Sequence, residues 1–278
     1  MALFKYILIS ILGLILVAFL TLGIIDKNND NLTKLKIQNV VKNEFNTDFE
    51  YKAEYSFGEP KNQKEELKLL VLGNSISSGV IVSNIKDDYV NVLIRKISIK
   101  QNNRLVRARV YNLANFERHY SNYDYNILKP LVEYKPDIII FQLGENYKRE
   151  NDELYFKQLV KLINYFGNDN IKIVTSPYWG QRRKNKLNEK AALDTNSFYV
   201  DISNLFAYDK KTRADYKKKY SNEGLGMHPG EYGMQRIAEE LFVLINALIN
   251  KKINLSSYRK RFFYAFSYRV REIDIWLI

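Results

Sequence analysis

The sequence predicts an α/β fold: a doubly wound, mainly parallel five-stranded sheet with helices on both faces, preceded by an N-terminal transmembrane helix. Three observations predict it. Short, fully apolar runs alternate with amphipathic stretches over about 190 residues, the pattern of a parallel sheet covered on both faces. An uncharged run of 20 residues, Tyr6–Ile25, precedes them. With 46% apolar and 14% aromatic residues in 278, the chain has material for one good-sized core, which excludes wholesale disorder.

Taken in chain order, the run YILISILGLILVAFLTLGII at 6–25 is long enough, at about 30 Å of helix, to cross a bilayer. It outruns the apolar stretch of a cleavable signal, and its end, LTLGIID, offers no small-residue cleavage site. We read residues 1–25 as a tail and an uncleaved anchor. Lysines lie on both sides of the span, so charge alone does not orient it; a short N-terminal tail on a single span resembles a signal anchor and places the body outside the cytoplasm. Residues 26–66 are polar and Asn/Lys-rich and read as a stalk. Strands are expected at Leu67–Gly73, Arg107–Leu113, Asp137–Leu143, Ile171–Thr175 and Ser197–Asp201. Helices are expected near 87–100, 122–134, 151–166 and 229–250. These form a domain over 67–253, followed by a basic aromatic tail at 254–278.

In such a fold ligands sit beyond the carboxyl ends of the strands. The first strand runs into Gly73-Asn74-Ser75-Ile76-Ser77-Ser78-Gly79. A serine at a strand-to-helix turn is exposed at the sheet edge beside free N–H groups, which suits a nucleophile; the same serines also suit an N-cap. The third strand runs into Gln142-Leu143-Gly144-Glu145-Asn146-Tyr147. There a side-chain amide can donate to an oxyanion, with Gly144 permitting close backbone approach; an Asn in a turn is the plainer alternative. The last helix opens at Gly226-Met227-His228-Pro229-Gly230. Pro229 fits a helix start and leaves His228 in the loop before it. The other histidine, His119, lies in a charged, Tyr-rich loop. Two His and no Cys exclude disulfides, thiolate sites, a cysteine nucleophile and a lipidated N-terminal Cys.

Together these motifs resemble the SGNH hydrolases, the GDSL family of esterases and lipases, over about 67–250. The resemblance implies that Ser75, in Gly73-Asn74-Ser75, is the nucleophile. It makes Asn146, in Gly144-Glu145-Asn146-Tyr147, the oxyanion donor, and His228, before Pro229, the base. The fold it implies is SGNH- or flavodoxin-like, with no metal or organic cofactor. A backbone N–H of the second block, near Ala114 in Asn112-Leu113-Ala114-Asn115, is expected to complete the oxyanion site. The sequence departs from the family at Asn74 for Asp, at Tyr147 for Asp, and in a second block without glycine. It also has Leu225 where the family places the acid that orients the histidine. A backbone carbonyl near Leu225, or the nearby Glu223, is expected to hold the ring instead, with Asp201 a further candidate. The mechanism expected is a Ser–His dyad.

The net charge is +12, and it is local. Residues 181–190 carry five bases and one acid, residues 209–220 six and two, and the tail at 254–278 five and two. The first two patches follow strands four and five, where they can attract an anionic glycan or membrane surface or simply be solvated helix faces. The tail sets Tyr258, Phe262, Phe266, Val270 and Ile273 at helical spacing among arginines, which suits a membrane interface and equally packing on the domain or docking a partner. Nucleic acid is not an expected partner of an exported, anchored chain. The resulting expectation is a membrane-anchored serine esterase acting on acyl, especially O-acetyl, groups of envelope or exported glycan. The alternatives are a glycan O-acyltransferase of the same scaffold and a catalytically impaired binding protein.

Overall fold

The computed structural model describes residues 52–59, 66–148, 150–217, 219–220 and 222–250. The anchor, most of the stalk and the basic aromatic tail lie outside the described residues. Among the described residues no helix is long and apolar enough to cross a membrane.

Six strands form one sheet in the order β1-β3-β2-β4-β5-β6. They are β1 Lys52–Phe57, β2 Leu67–Gly73, β3 Val106–Asn112, β4 Ile138–Phe141, β5 Ile171–Thr175 and β6 Phe198–Val200. All neighbours from β3 to β6 run parallel. The expected five strands are present, within a few residues of the expected bounds. The expected count is corrected to six by β1, which lies inside the segment read as a stalk and pairs antiparallel with β3. Its sequence, KAEYSF, alternates polar and apolar side chains, as a half-solvated edge strand does. Glu54 holds Arg107 at 2.9 Å and Arg109 at 2.8 Å on the neighbouring strand, so charges that read as a linker are cross-strand pairs.

The helices are α1 Tyr89–Lys100, α2 Ala114–His119, α3 Lys129–Glu133, α4 Asp152–Tyr165, α5 Arg182–Asp194, α6 Ser203–Tyr208, α7 Glu223–Gly226 and α8 Glu231–Ile249. Strand β4 shows why a continuous apolar run is needed. Ile138 and Ile140 enter one core with α1 and α8, whereas Ile139 and Phe141 enter the other with α2 to α5. The expected helix at 122–134 is broken into short turns, with only Lys129–Glu133 α-helical; Asp124 caps one of them through Asn126 N–H.

From β2 the chain passes to β3 on one side, then crosses back to β4 on the other. That reversal opens a crevice beyond the carboxyl end of β2, where the chain turns at Ser75.

Candidate active site

The first block is a tight turn whose shape depends on Gly73. A Cβ there would lie 1.9 Å from Ser77 Oγ and 2.5 Å from Ser77 Cβ. Ser77 is fully buried and fixed by Gln142 Oε1 at 2.9 Å and Tyr89 OH at 2.8 Å. The absence of a side chain at Gly73 therefore permits the close packing of this turn. Asn74 is also buried: its Oδ1 accepts from Ile76 N–H at 3.1 Å, while its Nδ2 reaches Glu145 at 3.0 Å and Glu117 at 3.3 Å. It braces the turn from below. Ser75 N–H has no hydrogen-bond partner among the described residues.

Ser75 Oγ lies 3.0 Å from His228 Nε2, across 153 residues of sequence. His228 sits between α7 and α8. Its own carbonyl accepts from Ala214 N–H at 2.8 Å, and Gly230 N–H donates to Thr212 O at 2.9 Å, so the 210–216 turns fix the loop that carries it. Gly233, one turn into α8, keeps this seam closed: a Cβ there would approach Thr212 O to 2.1 Å.

The ring's other nitrogen, Nδ1, donates to the Gly224 carbonyl at 2.9 Å. That contact decides among the expected acceptors. Glu223 is exposed and Leu225 has no polar side chain, while Asp201 is engaged by Ser176 Oγ and by the N–H and Oγ of Ser203. A backbone acceptor fixes the tautomer with Nε2 unprotonated and facing Ser75. The ring also packs edge-on against Trp179, centroids 5.0 Å apart, and the Trp179 indole N–H is held by Met227 O at 3.0 Å. Burial lowers the His228 pKa from 6.5, only partly opposed by the Gly224 hydrogen bond. His119 is exposed at the end of α2.

The third block is bound to a residue that sequence reasoning missed. Glu117, on α2, is fully buried and accepts from Gly144 N–H, from Asn146 N–H at 3.4 Å and from Asn146 Nδ2 at 2.7 Å, besides Asn74. Asn146 Oδ1 faces Arg118 Nη2 at 3.4 Å. Carboxylate on one side and guanidinium on the other define the amide's orientation. Gly144 has φ +116°, and a Cβ would meet Pro177 Cγ at 2.6 Å, so the close approach is to protein. The Ala114 N–H, an expected oxyanion donor, is already held by Asn112 Oδ1 at 2.8 Å. An Asn two residues upstream caps its own chain in this way, and that donor is not free.

Glu145, the second unforeseen carboxyl, accepts from Gln142 Nε2 at 2.9 Å, Tyr178 N–H at 2.6 Å and Asn74. Burial raises both carboxyls, and Glu145 is pushed up to about 7, first by burial and then by the Glu117 charge. Lys184, one of the bases of the 181–190 patch, is buried, with Nζ 3.1 Å from the Glu145 carbonyl. Tyr147, a departure from the family pattern, is a core residue stacked on Tyr155 at 4.1 Å. Among the described residues no group of three His, Asp or Glu could hold a metal.

The Glu145 value has a consequence for stability. A raised carboxyl leaves folding undisturbed below its unfolded value of 4.5 and weakens it as pH rises through about 7. Between pH 5 and 8 the wild type is expected to lose more stability than Glu145→Gln. Thermal melts across that range check this; parallel pH profiles of the two proteins would exclude it.

Fold and site together define a serine–histidine pair at the carboxyl edge of a doubly wound sheet. No family model matches the chain, and no curated protein matches it significantly. Solved structures do. A two-domain esterase (CEX) active on acetylated mannans, co-crystallized with mannopentaose, has a TM-score of 0.47 at 13% identity, over 65% of this chain and 49% of that one. A family two carbohydrate esterase from Cellvibrio japonicus has a TM-score of 0.42 at 14% identity, over 66% and 62%. A member of the lipolytic protein G-D-S-L family from Veillonella parvula DSM 2008 has 0.41 at 18%, over 63% and 95%. The chain thus spans about half the length of the mannan-active esterase and under two thirds of the Cellvibrio one.

Proposed function

We propose that the chain is a serine ester hydrolase of SGNH type, acting through a Ser75–His228 dyad. One observation carries the reading: Ser75 Oγ and His228 Nε2 stand 3.0 Å apart while the ring's far nitrogen is fixed on a backbone carbonyl. His228 Nε2 takes the Ser75 proton as Oγ bonds to the ester carbonyl carbon. The resulting oxyanion is received by the Ser75 N–H and by the Asn146 Nδ2 hydrogen not given to Glu117. The imidazolium then protonates the leaving alcohol as the ester C–O bond breaks. Water, deprotonated by the same ring, attacks the acyl-serine and releases the acid.

The dyad accounts for the absence of an acid at Leu225. A carbonyl sets the tautomer as a carboxylate does, but contributes no full charge to the imidazolium. In this reading residues 6–25 anchor the chain in a membrane, the body faces the cell envelope, and the substrate is an O-acetyl or other acyl ester on glycan. The exposed bases Arg182, Arg183, Lys210 and Lys211 follow β5 and β6 and supply attraction for an acidic polymer.

The test is covalent labelling of the purified full-length chain by a fluorophosphonate, against Ser75→Ala. Labelling of the wild type alone is expected. Equal labelling, or none, would leave a binding protein as the better reading. Where labelling depends on Ser75, acetate release from acetylated glycan supports the hydrolase, and acetyl transfer to a second glycan identifies a transferase.

A further inference from the structure

We propose that Glu117 is a positioning residue for the oxyanion site, fixing the Asn146 amide so that its second hydrogen is presented beside Ser75. This role rests on the serine-esterase reading. The Asn146 Nδ2 group has two hydrogens. One is held by Glu117 Oε2 at 2.7 Å, and the Oδ1 end is held by Arg118 at 3.4 Å, so the amide is gripped at both ends. The second hydrogen has no partner among the described residues.

The same carboxylate also anchors the backbone on which Asn146 rides. Glu117 Oε1 accepts from Gly144 N–H and from Asn146 N–H. Its Oε2 accepts from the Asn146 amide and from Asn74, the residue next to the nucleophile. One side chain thus joins the turn carrying the nucleophile to the turn carrying the oxyanion donor. Donors lose catalytic value when misplaced by as little as an ångström, and loop residues such as Asn146 need this kind of support.

A carboxylate is the side chain that fits. All four groups pointing at Glu117 are N–H donors, and both of its oxygens serve two of them. Glutamine would place an NH2 against two donors whichever way it faced. Four donors also offset the charge, so an ionised Glu117 can stay near a forming oxyanion. The other charged or titratable groups close to it are Glu145, which faces it across Asn74, Arg118, at the far side of the Asn146 amide, and the buried Tyr155, whose hydroxyl feels the Glu117 charge.

The experiment is a double-substitution cycle on the full-length chain, with 4-nitrophenyl acetate as probe and a thermal melt of every variant. Glu117→Gln is expected to lower kcat roughly 10- to 100-fold with KM within about twofold, because only transition-state binding is lost. In an Asn146→Ala background the same change is expected to cost almost nothing further, since Glu117 acts through that amide. Glu117→Asp keeps the charge but draws it back, and is expected to fall between wild type and Glu117→Gln. Normal kcat in Glu117→Gln, or a full additional loss on top of Asn146→Ala, overturns the role. So does loss of a cooperative melt in both Glu117 variants, which would make the residue structural support. A wild type without Ser75-dependent turnover overturns the esterase reading and this role with it, whereas a normal Glu117→Gln overturns this role alone.

Discussion

Replacing His228 with alanine is expected, on the proposed dyad, to lower ester turnover by roughly 10³- to 10⁴-fold while leaving the protein folded, because no other side chain among the described residues is placed to act as the base. Its Nε2 is hydrogen-bonded to Ser75 Oγ, and the other histidine is exposed on α2. The pH profile gives the sharper test. The base must be unprotonated, and burial beside Trp179 lowers the His228 pKa from 6.5. Activity expressed as kcat/KM is therefore expected to fall on the acid side with a midpoint below 6.5 and to be flat through neutrality. In enzymes where a carboxylate holds the ring, its charge favours the imidazolium; here the Gly224 carbonyl cannot do so to the same degree. A midpoint above 7 would mean that an anionic group approaches His228 in solution, and the backbone-oriented dyad would be wrong. The same sign applies to stability. The neutral ring of the folded protein contributes above 6.5, and that contribution is lost as pH falls through the lowered value.

How legible this site was depends on the kind of residue. Ser75 and His228 were readable because each follows the end of a strand or precedes a helix, and topology brings such positions to one edge. A strand such as β4 was readable because a strand buried on both faces must be apolar throughout, as in IIIF. Strand β1 was not, since an edge strand is half solvated and KAEYSF looks like linker. Helix α5 read only as a charge cluster, because its apolar face is short and its inward residues include Lys184 and Asn188. Glu117 and Glu145 were hidden for a deeper reason. A buried glutamate is defined by partners far away in sequence, and nothing local distinguishes it from a solvated one. The one local signal was Glu117 set between Phe116 and Arg118 in a short helix that begins right after a strand.

The Ala114 N–H shows the same dependence on surroundings. Motif resemblance identifies positions, but which N–H is free depends on side chains around it. Asn112 takes the Ala114 N–H, and Gly73 serves packing. A large expected effect on stability follows from that second point. Gly73→Ala would place a methyl 1.9 Å from Ser77 Oγ and 2.5 Å from Ser77 Cβ. Rotation of the serine hydroxyl relieves the first overlap but not the second, because Cβ is fixed to the backbone. The turn must therefore open, costing about 3 kcal/mol or more and moving Ser75 away from His228. Ser77→Gly alone should also destabilise, since Gln142 Oε1 and Tyr89 OH each lose a buried hydrogen bond, at about 1–3 kcal/mol. The double substitution removes both atoms that the new methyl strikes. It is expected to be more stable than the sum of the two single losses by at least 1 kcal/mol, roughly the coupling seen between residues in direct contact. Urea unfolding of the four proteins measures this, and acetyl-ester turnover follows Ser75 in parallel. Strict additivity would show that the turn does not have the close Gly73–Ser77 packing on which the placement of the nucleophile rests.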